Sequence, residues 1–280
     1  MSLPERREHA KELVGHGVSV RQACEAMKVS NSSYYYQALE KDDGSIKQVL
    51  LNQVKEHPGQ GFDKMLDVLR ETGSLPCGKT RLWRVYHELG LVMNQRPKQR
   101  LPAREKIALT VPQGPNQMWS LDFMSDALRL GNGRSRVFRT LNVIDDYSRS
   151  VLGIEIDSSL PSVKVVEVLS RLVVEQGKPA CIRSDNGPEF RSERVQAWAR
   201  EMQIAWRFIQ PGKPTQNAFI ERFNRSYRTE VLDVYWFSSL DEVREITWRW
   251  REFYNIHRPH DALNGQTPAR FAGLSLALVA

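Results

Sequence analysis

The spacing of apolar residues changes once along this chain, and the change divides it into two parts. Up to about residue 90, apolar positions recur every three or four residues between short polar or glycine-containing breaks, which predicts a series of helices. From Asn116 onward, segments with a period of two are interleaved with segments of helical period. That combination predicts mixed α/β structure, so we expect small all-α units before a larger α/β domain.

Residues 1–40 predict a helical segment of the helix-turn-helix type. The expected helices are Arg6–Val14, Val20–Met27 and Ser32–Leu39. Ser19 is a suitable helix cap, and the small residue Ala23 lies at a helix centre, as that motif requires. The three consecutive tyrosines from Tyr34 to Tyr36 either contact nucleic acid or pack inside a small bundle, and the pattern leaves both open.

Residues 45–93 predict a second helical, DNA-binding unit. The expected helices are Ile46–Glu56, Asp63–Glu71 and Lys79–Leu89. Lys79, Arg81 and Arg84 lie near the start of the last helix, where a recognition helix would meet DNA. A solvated basic face is the alternative interpretation.

Residues 94–115 predict a basic linker. Five cations oppose the single acid Glu105: Arg96, Lys98, Arg100, Arg104 and Lys106. The prolines favour an extended chain, whose charge could follow a phosphate backbone. A plain tether between domains is the alternative.

Residues 116–276 predict the α/β domain. The expected strands are 117–124, 137–145, 150–157, 180–184 and 204–208. The expected helices are 162–175, 192–202, one that begins at a Thr215 cap and runs to Glu230, and 240–256. Short turns between the first three strands predict antiparallel hairpins.

Three acids of this domain form a candidate cation site: Asp122, Asp185 and Glu221. Asp122 alternates with Trp119 and Phe123 in a predicted strand, and Asp185 ends a short apolar strand. Glu221 follows on a predicted helix, with 35 residues between it and Asp185. Carboxylates from two strands and a helix can hold hard cations that assist phosphoryl displacement. We expect the three to lie within bridging distance even without metal.

The helix that carries Glu221 has a polar face of mixed charge. Four residues share that face: Glu221, Asn224, Arg225 and Arg228. The interval of seven residues between Glu221 and Arg228 is nearly two helical turns. Taken alone, this helix could equally be an ordinary solvated surface.

The net charge indicates which kind of partner the protein binds, and the cysteine spacing indicates which cellular compartment it occupies. The net charge of +7 and a pI near 9.4 favour a polyanionic partner. The three cysteines lack disulfide or zinc spacing, which is typical of a reducing cytoplasm. The first residues do not resemble a signal peptide, and no apolar run approaches the length of a membrane span.

Five segments of the chain carry a family resemblance: WSLDF, LNVIDDYSR, IRSDNGPEF, NAFIERFNRSYRTEVLD and YNIHRPHDALNGQTPARF. With the Asp-Asp-Glu spacing, they resemble the DDE transposases and retroviral integrases. In particular, they resemble the catalytic OrfB-type subunit of bacterial insertion-sequence transposases. The resemblance covers about residues 46–275 and is strongest from Asn116 onward.

The resemblance implies a ribonuclease-H-like integrase catalytic core of α/β class, preceded by small all-α helix-turn-helix units. It implies Asp122, Asp185 and Glu221 as catalytic, metal-binding residues. They would hold two Mg²⁺ ions, or Mn²⁺, for DNA nicking and strand transfer at insertion-sequence ends. Arg228 would hold a terminal phosphate, Asn186 would support its turn or touch the DNA backbone, and Arg225 would also face DNA.

The implied partner is double-stranded DNA, both element ends and target DNA, bound by a homo-oligomer. An upstream-frame DNA-binding protein, or a fusion with it, is a further implied partner, whereas no membrane partner is expected. The implied location is the bacterial cytoplasm, at the nucleoid through DNA.

Several alternatives to this interpretation stay open. A DNA-binding regulator with an inactive catalytic domain and a nuclease without strand joining are the rival functions. Four nearby acids compete for the metal role: Asp126, Asp145, Asp146 and Glu189. Turn bonding explains Asp145 and Asp146 well enough to favour the original triple. His257 and His260 are interpreted as structural residues or phosphate contacts.

Overall fold

The computed structural model describes residues 1–36, 42–92, 112–131, 133–210 and 214–273. Contacts between Cα atoms divide the chain into two compact units, Met1–Gly44 and Ser45–Ala280. Most of the predicted basic linker, including Arg96, Lys98 and Arg100, lies outside the described residues.

The first unit contains three helices: α1 (Leu3–Gly15), α2 (Val20–Ala26) and α3 (Asn31–Tyr35). Side chains of Ser19 and Ser30 cap α2 and α3 by accepting hydrogen bonds from backbone amides, as serine at this position commonly does. Ala23 is fully buried, as the helix-turn-helix pattern predicts. Within the described residues the third helix ends at Tyr35, so it is shorter than the predicted Ser32–Leu39.

The second unit begins with three helices: α4 (Gly44–Glu56), α5 (Phe62–Glu71) and α6 (Lys79–Glu88). Their apolar faces enclose a core of their own, centred on Leu50, Leu66 and Leu82. These helices also contact the C-terminal part of the chain. His57 stacks on Phe253 with 3.7 Å between ring centroids, so the helical unit and the α/β core belong to one compact body.

A five-stranded mixed sheet forms the centre of the second unit. Its strands are β1 (Met118–Arg129), β2 (Ser135–Asp145), β3 (Val151–Asp157), β4 (Cys181–Ser184) and β5 (Ala205–Phe208). The spatial order is β3-β2-β1-β4-β5, with β1, β2 and β3 antiparallel and β4 and β5 parallel to β1. This arrangement confirms the predicted hairpins and the ribonuclease-H-like class.

Helices cover both faces of the sheet. They are α7 (Ser162–Gln176), α8 (Pro188–Arg191), α9 (Glu193–Glu201), α10 (Ala218–Tyr227), α11 (Leu240–Ile256) and α12 (Pro268–Phe271). One core joins α7 and α9 to Trp119 and Leu121 of β1. The other joins α10 and α11 to β2 and β3 and includes Phe223 and Trp250. Residues of β1 therefore alternate between two cores.

The helix that carries Glu221 begins and ends at residues other than those predicted, because tertiary contacts shape both of its ends. The helix that was expected to start at a Thr215 cap starts at Ala218, because Pro214–Asn217 forms a 3₁₀ turn. Arg183 donates to the Gln216 carbonyl at 2.7 Å and Asn217 donates to the Leu121 carbonyl, so that turn is held by distant strands. The helix also ends early, and Arg228–Leu232 forms a wider π turn.

Strand β1 extends to Arg129, five residues beyond its predicted end, because its pairing with β2 continues to Ser135. The short helix α8 was not predicted.

In the part of the chain that the structure describes, every helix is too short or too polar to cross a membrane.

Candidate active site

Asp122 and Asp185 lie just beyond the last paired residues of two neighbouring strands. The pairing of β1 with β4 ends at Ser120 and Arg183, and each aspartate follows two residues later in the chain. Neighbouring strands are about 4.8 Å apart, and register partners in a parallel pair share a face. Asp185 follows the last residue of β4, and its Oδ1 accepts from the Gly187 amide at 3.1 Å. The alternation predicted for Asp122 is confirmed.

Asp122 is held by amides rather than by cations. Its Oδ1 accepts from the Phe123 backbone N–H at 2.9 Å, and its Oδ2 accepts from Asn224 Nδ2 at 2.7 Å. The Asn224 carbonyl oxygen accepts in turn from Asn142 Nδ2, also at 2.7 Å. Asn142 is the cross-strand partner of Asp122 on β2. This chain of amides fixes one carboxylate oxygen of Asp122 toward α10.

Glu221 lies about one turn before Asn224 on α10 and is exposed. Its charge contributes to the raised pKa of Asp122, so the two carboxylates are close enough to interact. Partial burial raises the pKa of Glu221, and the nearby Arg225 opposes that rise.

Negative charge converges on Asp122. Its pKa rises to about 6, first because of burial and then because of the charge of Asp185, with Glu221 adding to the effect. The hydrogen bonds from Phe123 and Asn224 act in the opposite direction. Near neutral pH the ionised Asp122 carboxylate therefore destabilises the folded protein. A bound cation would remove that destabilisation.

The competing acids each have a partner within the fold. Asp126 pairs with Arg228 at 2.5 Å, Asp146 pairs with Arg183 at 2.8 Å, and Glu189 pairs with Arg139. Asp145 Oδ1 accepts from the backbone amides of Tyr147 at 3.1 Å and Ser148 at 2.8 Å in its turn, and its Oδ2 accepts from the Asn116 amide. The predicted turn role of Asp145 is confirmed, whereas Asp146 is chiefly a buried ion-pair partner.

The candidate triple differs from Asp126, Asp146 and Glu189 in having no cationic partner in the described part of the chain, a property that it shares with Asp145 of the turn. Among the described residues, none of Asp122, Asp185 and Glu221 forms an ion pair, and the hydrogen bonds of the two aspartates come from neutral amides. A set of three carboxylates without an internal cation has the oxygen chemistry that Mg²⁺ or Mn²⁺ prefers. The donor set therefore suits such a metal.

The expected assembly of the three carboxylates without metal is not met. Within the described ranges, no three acidic, histidine or cysteine side chains are close enough to hold a metal ion together. Electrostatics supply the reason, since Asp185 and Glu221 both disfavour the charge on Asp122. The long Glu221 side chain is exposed and can turn away from two like charges.

The structure assigns intramolecular contacts to two residues that were predicted to bind DNA near this site. Arg228 donates to Asp126 and to the Ser125 carbonyl, rather than lying free beside Glu221. Asn186 Nδ2 donates to the Ile209 carbonyl at 2.6 Å and so ties the ends of β4 and β5 together. Arg225 is exposed.

The predicted DNA-binding residues of α6 also have partners on their own protein. Lys79 lies 3.3 Å from Asp63, and Arg84 lies 2.5 Å from Glu88. Arg81 is exposed and has a partner of its own. All three lie on a helix whose other face is buried in the helical core.

Asn142 and Asn224 are the residues whose role the sequence interpretation missed. Both are buried, and together they orient Asp122. One signal was present, because Asn142 interrupts the apolar segment Leu141–Ile144 in a predicted strand. A buried amide needs a partner, so its position opposite Asp122 could have been recognised.

Comparisons with known proteins extend these observations. Two family models described as "Integrase core domain" match residues 112–214 and 202–268. The 31.7 kDa protein of insertion element IS407 from Burkholderia multivorans is 35% identical over 255 residues, covering 91% of both chains. The transposase of insertion sequence element IS904 from Lactococcus lactis is 24% identical, covering 80% of this chain and 94% of that protein.

A solved structure is also similar to this chain. A chain of the simian T-cell lymphotropic virus intasome, in complex with the PP2A regulatory subunit B56 gamma, is 16% identical with a TM-score of 0.48. The match covers 81% of this chain and 74% of that chain.

Proposed function

We propose that this chain, which belongs to the insertion-sequence DDE transposases of the integrase superfamily, nicks DNA at element ends and joins the freed ends to target DNA. Membership makes it an enzyme of the polynucleotidyl transferase type. The specific proposal is that Asp122, Asp185 and Glu221 carry both steps.

One observation supports this assignment above the others. Three of the four competing acids, Asp126, Asp146 and Glu189, form ion pairs within the fold, and Asp145 is held by the hydrogen bonds of its turn. The three proposed catalytic acids form no ion pair among the described residues. A carboxylate that only stabilises a fold gains from an internal cation or donor. Carboxylates that lie at neighbouring positions without an internal cation are suited to a cation from solution.

Two Mg²⁺ ions, or Mn²⁺, are the metals that this set would hold. When bound, such ions activate the attacking oxygen and stabilise the leaving oxygen of a phosphodiester. Asp122 and Asp185 would supply ligands from adjacent strands, and Glu221 would supply one from α10.

The protein's own amides prepare Asp122 for this task. Asn224 and the Phe123 amide each occupy one lone pair and fix the orientation of the carboxylate. Asn142 prevents the Asn224 amide from rotating. Asp122 must be deprotonated to bind metal, so the proposed activity should decline as the pH falls toward its pKa of about 6.

DNA contacts are proposed for basic residues at three places. Arg225 and Arg228 lie on or next to α10, the latter after exchanging Asp126 for a phosphate, and Asn186 lies at the end of β4. Lys79, Arg81 and Arg84 would approach DNA from α6. The segment with Arg96, Lys98 and Arg100 would add contacts that carry no sequence information.

Further proposals concern assembly and location. The chain would act as a homo-oligomer on element ends and target DNA, alone or with an upstream-frame DNA-binding protein, in the bacterial cytoplasm.

Substitution of the three acids tests the assignment. Asp122→Asn, Asp185→Asn and Glu221→Gln should each reduce metal-dependent nicking and joining by at least about a thousandfold, while DNA binding in EDTA persists. Asp126→Asn is the matched control, because Asp126 lies on the same face of β1 and is already neutralised by Arg228. We expect it to retain at least about a tenth of the activity.

Two results would contradict the proposal. Strand transfer by any one of the three purified variants would remove that acid from the site. Wild-type protein that nicks but never joins a pre-nicked end would be a nuclease rather than a transposase.

A further inference from the structure

A cavity of about 170 Å³ lies against the face of α10 that points away from Glu221. Phe219, Arg222, Phe223 and Ser226 line it, and they recur at the spacing of one helix face. Glu221 and Asn224 lie on the opposite face. The body of a helix, about 10 Å across, therefore separates this cavity from the carboxylates.

Four cations line this cavity, which we call the α10 cavity: Lys64, Arg149, Arg222 and Arg258. The only acid in its lining is Asp261. Asp261 Oδ1 lies 2.8 Å from Lys64 Nζ, and its Oδ2 lies 4.0 Å from Arg222. Arg258 is paired at 2.7 Å with Glu230, which is outside the lining. Lys64 also lies 3.8 Å from Asp67, which is outside the lining as well. Among the lining residues themselves, positive charge is in excess.

Of these four cations, Arg149 is the one that forms no ion pair with a carboxylate among the described residues, although the charges of Asp146 and Asp145 favour its charged form. Its guanidinium lies over the Phe219 ring at 3.4 Å and donates to the Asp146 carbonyl. Burial lowers its pKa. A mostly buried cation stacked on an aromatic ring is favourably placed to receive an anion.

The lining also contains polar atoms without partners. Nε2 of His260 and Nε of Arg258 are buried and form no hydrogen bond with the described residues. Burial and the nearby cations lower the pKa of His260 to about 3, so its ring is neutral and can donate one hydrogen bond. Buried polar atoms without partners are costly, which indicates a ligand or solvent partner.

We propose that the α10 cavity binds one backbone phosphate of DNA, at a position other than the bond under attack. The inference rests on the proposed function, since that function brings a duplex to α10. A volume of about 170 Å³ is below the roughly 300–1,000 Å³ of pockets for whole small molecules, and it suits a single anionic group. Lys64 belongs to α5, so this phosphate would also tie the second helical unit to DNA.

Salt dependence of DNA binding tests the proposal. Binding is measured in EDTA on a short duplex of arbitrary sequence, so that the result does not depend on catalysis. The double variant Lys64→Gln/Arg222→Gln should lower the slope of log affinity against log salt by about 0.9, the value for one phosphate. Affinity at moderate salt should fall about tenfold.

The matched control is Lys164→Gln/Arg200→Gln. These two cations also belong to ion pairs, with Glu167 and Glu193, but they lie on helices α7 and α9 of the other face of the sheet. We expect the control to keep the wild-type slope. A slope that stays unchanged in the cavity variant, or falls equally in both variants, overturns the proposal.

Inorganic phosphate distinguishes a DNA site from a site for a free anion. Thermal unfolding in phosphate against chloride at equal ionic strength should show stabilisation of the wild type and of the control variant, but not of the cavity variant. Loss of this stabilisation with an unchanged DNA slope would make the cavity a free-phosphate site and overturn the DNA assignment.

If the double variant does not fold, the single variant Arg222→Gln is used in its place, because that side chain is mostly exposed. Activity of the Glu221→Gln variant would defeat the proposed function while leaving this measurement intact.

Discussion

Asp122 and Asp146 lie on or next to neighbouring strands of one sheet, and burial raises the pKa of each to about 6. Their surroundings then differ. Asp146 is fully buried and forms an ion pair with Arg183 at 2.8 Å. Asp122 has only amide donors, and its charged neighbours are the acids Asp185 and Glu221.

The difference separates a carboxylate that serves the fold from one that is available to a ligand. The cation that compensates Asp146 is part of the chain and is present whenever the chain is folded. Compensation of Asp122 has to come from solution, which makes its charge sensitive to metal and pH. Burial alone therefore does not identify the candidate site. The lack of an internal cation separates Asp122 from Asp146, and the neighbouring charges of Asp185 and Glu221 complete the distinction.

The largest expected effect comes from removing the internal cation of Asp146. Arg183→Met should lower the free energy of unfolding by about 3–5 kcal/mol, because it leaves a buried charge without a partner. Urea denaturation measures the change. Arg207→Met is the control, since Arg207 is exposed on the neighbouring strand β5 and should have little effect. A loss below about 1 kcal/mol for Arg183→Met would mean that Asp146 is compensated in another way.

A smaller effect of opposite sign is expected at Asp122. In EDTA at neutral pH, Asp122→Asn should raise the free energy of unfolding by about 3 kcal/mol, because the pKa of Asp122 is raised to about 6 and each pKa unit corresponds to about 1.36 kcal/mol. The folded pKa is raised, so the wild type gains stability as the pH falls from about 6 toward 4, and the advantage of the variant disappears there.

Urea denaturation of the wild type and of Asp122→Asn across that pH range tests the sign. Asp126→Asn provides the contrast, because it breaks an ion pair with Arg228 and should not stabilise the protein. A destabilised Asp122→Asn variant at neutral pH would show that its carboxylate is compensated within the fold.

The smallest effect is expected from loosening the amides that hold Asp122. Asn142→Val removes the donor to Asn224, so the Mg²⁺ concentration for half-maximal nicking should rise about tenfold. Asn255→Ala is the control, because Asn255 bonds only the Val151 backbone on β3. An equal change in both variants would indicate general loosening of the structure instead of a metal-site effect.

Local patterns predicted the elements that carry the site. The predicted helix at 240–256 agrees with α11, which Ser239 caps from the position just before it and whose apolar spacing lies within the segment. Asp122 lies opposite Trp119 because alternation along a strand is a property of the strand itself. The Asp-Asp-Glu spacing identified the three acids before any contact was known.

The predicted helix boundaries were wrong where residues far away in the sequence form contacts. The predicted start of α10 at Thr215 was three residues too early, because two hydrogen bonds hold a 3₁₀ turn there. Arg183 donates to the Gln216 carbonyl, and Asn217 donates to the Leu121 carbonyl. Arg228 was placed beside Glu221 by helical spacing. Its contact with Asp126, which is 102 residues away, depends on how α10 packs on β1.

The amino-acid sequence determined which residues are acidic, which elements carry them and which family the chain resembles, because periodicity, capping and motif order act over short distances. Only the tertiary structure decided which acids are neutralised. Arg183 reaches Asp146 and Arg228 reaches Asp126 through strand register and helix packing, and neither is visible in local spacing. The same long-range packing places Asn224 against Asp122. Asp122 is therefore held by neutral amides and stays available to a ligand, whereas an ion-paired carboxylate serves the fold.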